Sequence, residues 1–326
     1  MFEICNTPVL FLIFNRPNTT EQVFEAIAKA KPRCLFVAAD GPRTDKEGEA
    51  EKCQAVRDII KRVDWDCEVK TLFREQNLGC KEAVSSAITW FFEQVEEGII
   101  LEDDCLPSDS FFSFCAELLE KYRDDKRIMM ISGDNFQDGI QRGDASYYFS
   151  SVPWIWGWAT WRRAWRLYDR EMQTFPSFVK EDRMQSLSAD RAVQNYRWSD
   201  FIATYEGHIN TWDFQWIYSV LINHGLSICP QVNLVSNIGW SLESTHTFDP
   251  KSSLANIPLD EIHEILHPWA IMPDVLADKY FYERHLNIRY HRIKNPIMRW
   301  RKMLRKQYKT RKSIKRFIEE DKGNIV

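Results

Sequence analysis

The stretch Ile99-Ile100-Leu101-Glu102-Asp103-Asp104-Cys105 runs an apolar segment straight into three consecutive acids. Adjacent carboxylates repel one another unless something positive or hydroxyl-rich meets them, so the pattern suits a divalent cation or the hydroxyls of a sugar. The apolar residues have the character of a buried strand, opened by Gly98 and stopped at Pro107. Acids at the carboxyl end of such a strand lie on the edge where open α/β sheets bind ligands. The competing reading is a plain acidic turn, with Asp109 capping a helix that starts near Phe111.

A second acid with chemical potential is Asp213, in Thr211-Trp212-Asp213-Phe214-Gln215-Trp216. It stands just before a predicted helix from Trp216 to Asn223 that His224-Gly225 ends. At the start of a helix the macrodipole favours such a carboxylate. Trp154, Trp156, Trp158, Trp161 and Trp165 crowd the segment between the two acidic sites. The spacing of Trp154, Trp158, Trp161 and Trp165 predicts a packed helix, leaving the Trp156-Gly157-Trp158 turn to face a ligand. Gly157 there permits close backbone approach. The polar segment Asn237 to Thr247, which includes Gly239, Ser241 and His246, reads as a lid that excludes water.

Positioning these groups falls to a predicted βαβ series. Pro8 to Phe14 reads as a buried strand, Asn18 or Thr19 as a cap, Glu21 to Lys31 as a helix, and Cys34 to Ala39 as the next strand. Helix Glu47 to Arg62, strand Cys67 to Phe73, helix Lys81 to Glu96 and strand Ile99 to Leu101 continue it as a right-handed parallel sheet. Each strand ends in a candidate contact: Asn15-Arg16, Asp40-Gly41, Asn77 to Lys81, then Glu102 to Asp104. Convergence of these ends suits a nucleotide. The first turn has no G-x-G-x-x-G and the chain has no Walker A sequence, which disfavours dinucleotide oxidoreductases and P-loop enzymes.

The chain of 326 residues, 44% hydrophobic and 28% charged, is long enough to bury a large core. Its eight cysteines form no C-x-x-C pair, so free thiols in a reducing cytosol are expected. The N-terminal apolar run Val9 to Phe14 follows Glu3 and is too short for a secretory signal or a bilayer span. Thirteen Lys/Arg and no acid lie between Arg289 and Arg316, which leaves the rest of the chain at −17 against a total of −4. Ile297, Trp300 and Leu304 interleave with these bases at helical spacing, as in a helix lying on an anionic membrane surface. A solvated basic helix and a nucleic-acid site are the alternatives.

Taken in order, Pro8 to Phe14 with Asn15-Arg16, Asp40-Gly41, Glu102-Asp103-Asp104, Gly157-Trp158 and Trp212-Asp213 resemble GT-A nucleotide-sugar glycosyltransferases. The likeness is to the inverting N-acetylglucosaminyltransferase I type and to bacterial family-2-like enzymes. It spans roughly residues 7 to 248 and extends through Phe111-Phe112, Ser132-Gly133 and Asn135. The resemblance implies an α/β, Rossmann-like, mostly parallel sheet flanked by helices; the helical basic C-terminal extension lies outside the likeness and is expected from its own residues. It implies a glycosyltransferase domain over 1–255, divided into a nucleotide-binding half (1–135) and an acceptor half (136–255). A helical or loop extension (256–288), with a helix start at Pro258-Leu259-Asp260-Glu261, and a basic tail (289–326) follow.

By position, the resemblance gives Asp104 a Mn²⁺ or Mg²⁺ ion that bridges a diphosphate, with His246 a further metal ligand. Glu102 and Asp103 meet ribose and donor sugar, Arg16 and Asp40 meet the nucleoside, and Lys81, Gly157, Trp158 and Ser241 join the donor site. Asp213 becomes the general base. The relative has an acid where Asn15 stands. The implied partners are a UDP-sugar and a glycan or lipid-linked acceptor of surface-polysaccharide or lipopolysaccharide synthesis, without nucleic acid. The expected location is the cytoplasm, extending to the inner face of the plasma membrane.

Other classes stay open: a sugar nucleotidyltransferase, a phosphohydrolase, or a catalytically silent binding protein. A nucleotidyltransferase wants a Gly-rich basic loop after the first strand, where Asn15-Arg16-Pro17 stands. A phosphohydrolase commonly wants an Asp nucleophile on that strand.

Overall fold

The computed structural model describes residues 5–240, 252–286 and 288. Ser241 and His246, on the expected lid, and the basic tail from 289 lie outside the described residues.

The first half alternates strand and helix: β1 (Val9–Ile13), α1 (Pro17–Ala30), β2 (Cys34–Ala39), α2 (Glu49–Ile59), β3 (Glu68–Phe73), α3 (Gly79–Gln94) and β4 (Glu97–Glu102). After it come β5 (Cys105–Pro107), α4 (Ser110–Lys121), β6 (Ile128–Ser132), β7 (Tyr147–Ser150) and β8 (Trp158–Trp161). The short helices α5 (Arg162–Trp165), α6 (Phe175–Lys180) and α7 (Met184–Leu187) lead to α8 (Arg191–Tyr205) and α9 (Asp213–Ile222). Strands β9 (Leu226–Pro230) and β10 (Val235–Asn237) and helix α10 (Val275–Arg284) complete the described elements.

One eight-stranded sheet has the order β3-β2-β1-β4-β8-β6-β9-β7. β1 pairs in parallel with β2 and β4, β2 with β3, and β6 with β9, whereas β8 runs antiparallel between β4 and β6 and β7 lies antiparallel at the edge. The result is the expected mixed α/β, mostly parallel sheet flanked by helices. All five residues of β1 are buried, as a strand covered on both faces requires, each large side chain contributing about 1.5–3 kcal/mol. β5 and β10 form a separate antiparallel pair in which Cys105 faces Asn237. This small sheet fastens the segment before the expected lid to the segment just after the three acids.

Several expectations are corrected. The tryptophans spaced as a helix do not form one: Trp158–Trp161 is strand β8, inserted between β4 and β6, and only the short α5 follows. Burial on both faces of a central strand produces a run of large apolar residues that mimics helical spacing. Helix α1 starts at Pro17, earlier than expected, with Arg16 at its N-cap and no side-chain cap from Asn18 or Thr19. Proline at the first helical position needs no hydrogen-bond partner for its nitrogen, so the turn after β1 is short. Pro258 to Glu261 starts no helix. The Glu261 carboxylate instead accepts from the backbone N–H of Asp109 (3.2 Å) and Ser110 (2.8 Å), capping α4 from a distant part of the chain where Asp109 had been expected to do so.

Candidate active site

The three acids are split by their backbone. Glu102 is the last residue of β4, while Asp103 and Asp104 form the tight turn into β5. Parallel pairing sets Glu102 opposite Leu12, one residue before the end of β1, so the turn faces the Asn15-Arg16 corner. Arg16 spans both turn acids: Nη1 donates to Asp104 Oδ2 (2.6 Å) and Nη2 to Asp103 Oδ1. Asp103 Oδ2 also accepts from the Phe14 N–H (3.1 Å), fastening the acid turn to the end of β1. Burial opposes the charge of Arg16, but the two carboxylates outweigh it and hold the guanidinium firmly protonated. Burial pushes Asp103 above the usual carboxylate range against the pull of Arg16.

Glu102 differs from its neighbours. It keeps solvent access, yet crowding by protein and then the negative charge of Asp104 push its carboxyl up to about 8, against the pull of Arg16. Asp213 adds to this repulsion. The two carboxylates also both raise Cys80, a largely enclosed thiol pushed up to about 12 chiefly by burial. Asp213 therefore lies near enough to Glu102 and Cys80 for its charge to act on both, although it is far from them in sequence. It is the first residue of α9, and its Oδ1 accepts from the Phe214 N–H (2.9 Å) and from Thr211 Oγ1. Among the described residues both of these bonds fall on Oδ1.

The second half supplies the walls. Trp158 is fully buried and stacks on Trp212, ring centroids 5.7 Å apart, with Trp216 at 5.5 Å. This aromatic core fixes the start of α9, and so Asp213, against β8. Trp158 thus serves packing, with no face open to the donor it was expected to meet. Gly157 has φ +65°, and a Cβ there would lie 2.6 Å from Val235 Cγ2, so its glycine is demanded by the approach of β10. Its carbonyl accepts from the Gly133 N–H (2.8 Å). Trp156 is the member of this turn that keeps solvent exposure, edge-on to Trp240.

Gly239 closes the crevice from the other side. A Cβ on it would fall 2.2 Å from Asp104 Oδ2 and 2.7 Å from Arg16 Nη1. The adjacent Ile238 N–H donates to the Asp104 carbonyl (2.8 Å), so this backbone is held directly over the Arg16 to Asp104 pair.

Two further expected contacts are engaged within the protein. Asp40 accepts from the N–H groups of Gly41 (2.9 Å), Leu78 (3.0 Å) and Gly79 (3.1 Å) and from Asn77 Nδ2 (3.0 Å), tying the end of β2 to the start of α3. Burial nevertheless raises its carboxyl above the usual range. Lys81 donates to Glu171 (2.9 Å), while its own N–H is taken by the Asn210 side chain (3.0 Å). Asn210, which sequence reasoning passed over, holds the start of α3, and Thr211, named there only within the Asp213 motif, holds the Asp213 carboxylate. Their only sequence signal is proximity to Asp213.

Among the described residues no group of three His, Cys, Asp or Glu side chains forms a metal cage. Asp104 and its neighbours are hard oxygen donors, which suits Mg²⁺ or Mn²⁺ held by one or two carboxylates and completed by phosphate oxygens. Arg16 supplies the positive charge that Asp103 and Asp104 face. An open cavity lined by Thr89, Glu93, Arg162 and Trp165 touches none of these acids.

No protein-family model and no curated protein matches the sequence. Similar solved structures include a cytidylyltransferase from Leptospira borgpetersenii serovar Hardjo-bovis, 12% identical over 50% of this chain and 63% of that one, with a TM-score of 0.31. HddC from Yersinia pseudotuberculosis is 9% identical over 48% of this chain and 77% of its own, with a TM-score of 0.30. A 4-diphosphocytidyl-2C-methyl-D-erythritolsynthase from Anaerococcus prevotii is 11% identical over 50% and 75%, with a TM-score of 0.31. The likeness spans less than two thirds of the cytidylyltransferase. At this distance it says nothing about the reaction. Among the described residues no helix is long and apolar enough to cross a membrane.

Proposed function

We propose that this chain is an inverting glycosyltransferase of the GT-A type that moves a sugar from a nucleoside diphosphate, UDP foremost, to a hydroxyl of a glycan or lipid-linked acceptor. The observation that carries the reading is the acid turn after β4, where Arg16 holds Asp103 and Asp104 and Gly239 lies over them, with the charge of Asp213 acting on Glu102 beside it. Inversion needs a donor site and a base on opposite sides of one anomeric carbon, and the nearness of Asp213 to Glu102 supports that assignment.

In the proposed reaction Asp213 Oδ2 takes the proton of the acceptor hydroxyl as its oxygen attacks the anomeric carbon. The bond from that carbon to the diphosphate breaks on the opposite face, and configuration inverts. A Mn²⁺ or Mg²⁺ ion, held by Asp104, would supply charge stabilisation to the departing diphosphate. Arg16 adds a fixed positive charge on the same side, Glu102 and Asp103 present oxygens to donor hydroxyls, and Trp156 offers an apolar wall. The position of Gly239 over Asp104 supports exclusion of water from the donor.

The turn from β1 into α1 consists of Phe14, Asn15 and Arg16, with no glycine. That leaves no loop to cradle a triphosphate, which weighs against the sugar nucleotidyltransferase alternative. The deciding experiment supplies a panel of nucleotide sugars with Mn²⁺, with and without chelator, and identifies the nucleotide product. Release of nucleoside diphosphate with sugar transfer supports the proposal, whereas pyrophosphate-dependent formation of nucleoside triphosphate refutes it. Asp213→Asn is expected to retain donor binding and lower kcat about a thousand-fold. Unchanged turnover would remove Asp213 as the base.

A further inference from the structure

Large apolar side chains stand in water along one short stretch of this protein. Leu266 is 52% exposed, Trp269 94%, Met272 65%, Val275 67% and Leu276 64%. Single exposed hydrophobics are ordinary, but five within eleven residues form a cluster that soluble surfaces rarely leave without a purpose.

The stretch is pinned at both ends to the sheet edge. Ser146 N–H donates to the Leu266 carbonyl (2.8 Å), and the Leu266 N–H returns a bond to Ser146 Oγ (2.8 Å). His267 Nδ1 meets the Tyr147 hydroxyl (3.0 Å). At the far end Pro273 bridges Phe149, and the Asp274 N–H donates to the Phe149 carbonyl (2.7 Å). Ser146 precedes β7 and Phe149 lies within it, so both ends of this projection are anchored along one strand, with Ile271 packed against the core between them. Val275 and Leu276 then open α10, whose start Asp274 caps through bonds to Leu276 and Ala277 (both 2.9 Å). A projection held this firmly keeps its apolar side chains outward.

We propose that the 266–276 projection inserts into the headgroup region of an anionic lipid bilayer, with the basic segment that follows α10 supplying the electrostatic attraction. The charge argument selects this occupant. Thirteen Lys/Arg and no acid lie between Arg289 and Arg316, directly after the projection and helix, and their sequence interleaves Trp300 and Leu304 with the bases. Apolar wedge and polybasic segment are the two signals that together hold a peripheral protein at a membrane when one alone is marginal. Tryptophan is the side chain best suited to the interface, with an apolar ring and a polar N–H. The inference does not depend on the reaction chemistry.

The test is co-sedimentation of the full chain with vesicles of phosphatidylcholine alone or with phosphatidylserine, without nucleotide. Wild type is expected to bind the anionic vesicles, more weakly as salt rises. Trp269→Ala with Leu276→Gln is expected to lower affinity about ten-fold or more while circular dichroism stays unchanged, with Trp269→Phe keeping most of it. Replacing Arg299, Arg301, Lys302, Arg305 and Lys306 by Gln should abolish the preference for anionic lipid. Equal binding by wild type and the Trp269/Leu276 variant overturns the proposal, as does no wild-type binding. A change of oligomeric size in that variant, with lipid binding intact, would assign the projection to a second copy and also overturn it.

Discussion

The raised carboxyl of Glu102 distinguishes this acid cluster from a plain acidic turn. Its carboxyl rises from 4.5 to about 8 because crowding and Asp104 disfavour its charge. In the folded protein it holds a proton that the unfolded chain has released over that interval, so stability should fall as pH climbs from about 4.5 to about 8. Urea titrations across the interval are expected to show this slope flattened in Glu102→Gln; an identical slope would mean that the residue is ionised throughout. Gly239 gives an independent handle on the same crevice. A methyl group there collides with Asp104 Oδ2, so Gly239→Ala should weaken nucleotide-sugar binding about ten-fold, equivalent to about 1.4 kcal/mol. Calorimetry would check this, and unchanged affinity would mean that donor binding does not use the face of Asp104 that Gly239 covers.

At the scale of elements, acids placed by sequence next to one helix serve another. Asp109, adjacent to α4, makes no side-chain cap, whereas Glu261, about 150 residues later in the chain, accepts from the first N–H groups of that helix. Glu261→Ala should cost about 1 kcal/mol of unfolding free energy, read from the urea midpoint, because two helix N–H groups lose their acceptor and the dipole loses its charge. Asp109→Ala should change little. Asp40 behaves likewise, closing the start of α3 across the β2 edge. The tryptophan segment teaches a related lesson: Trp158 and Trp161 are spaced as on a helix but lie in β8, because a central strand buried on both faces loses the alternation that marks an exposed one.

For the whole molecule, the described fold closes before the basic tail: Ile288 is buried in the cluster that includes Tyr148, Trp154 and Phe281. A chain ending after Ile288 is therefore expected to bind nucleotide sugar with unchanged affinity and to lose attachment to anionic vesicles. Calorimetry on that truncated chain would check the first half, and impaired nucleotide binding would show that the tail reaches the crevice.

By itself the sequence determined the alternating first half and the placement of the three acids after β4. Buried parallel strands and the helices covering them write their periods into short, contiguous windows, and β2 appears with its expected ends, Cys34 and Ala39. β6, β7 and β9 were not legible in this way, since their pairing joins segments remote in the chain. Tertiary structure alone decided that Arg16 neutralises Asp103 and Asp104, that Gly239 covers them, and that the charge of Asp213 acts on Glu102. These relations depend on which strands neighbour one another in the sheet and on the β5 to β10 pairing that draws the second half over the first, long-range contacts that no local period encodes.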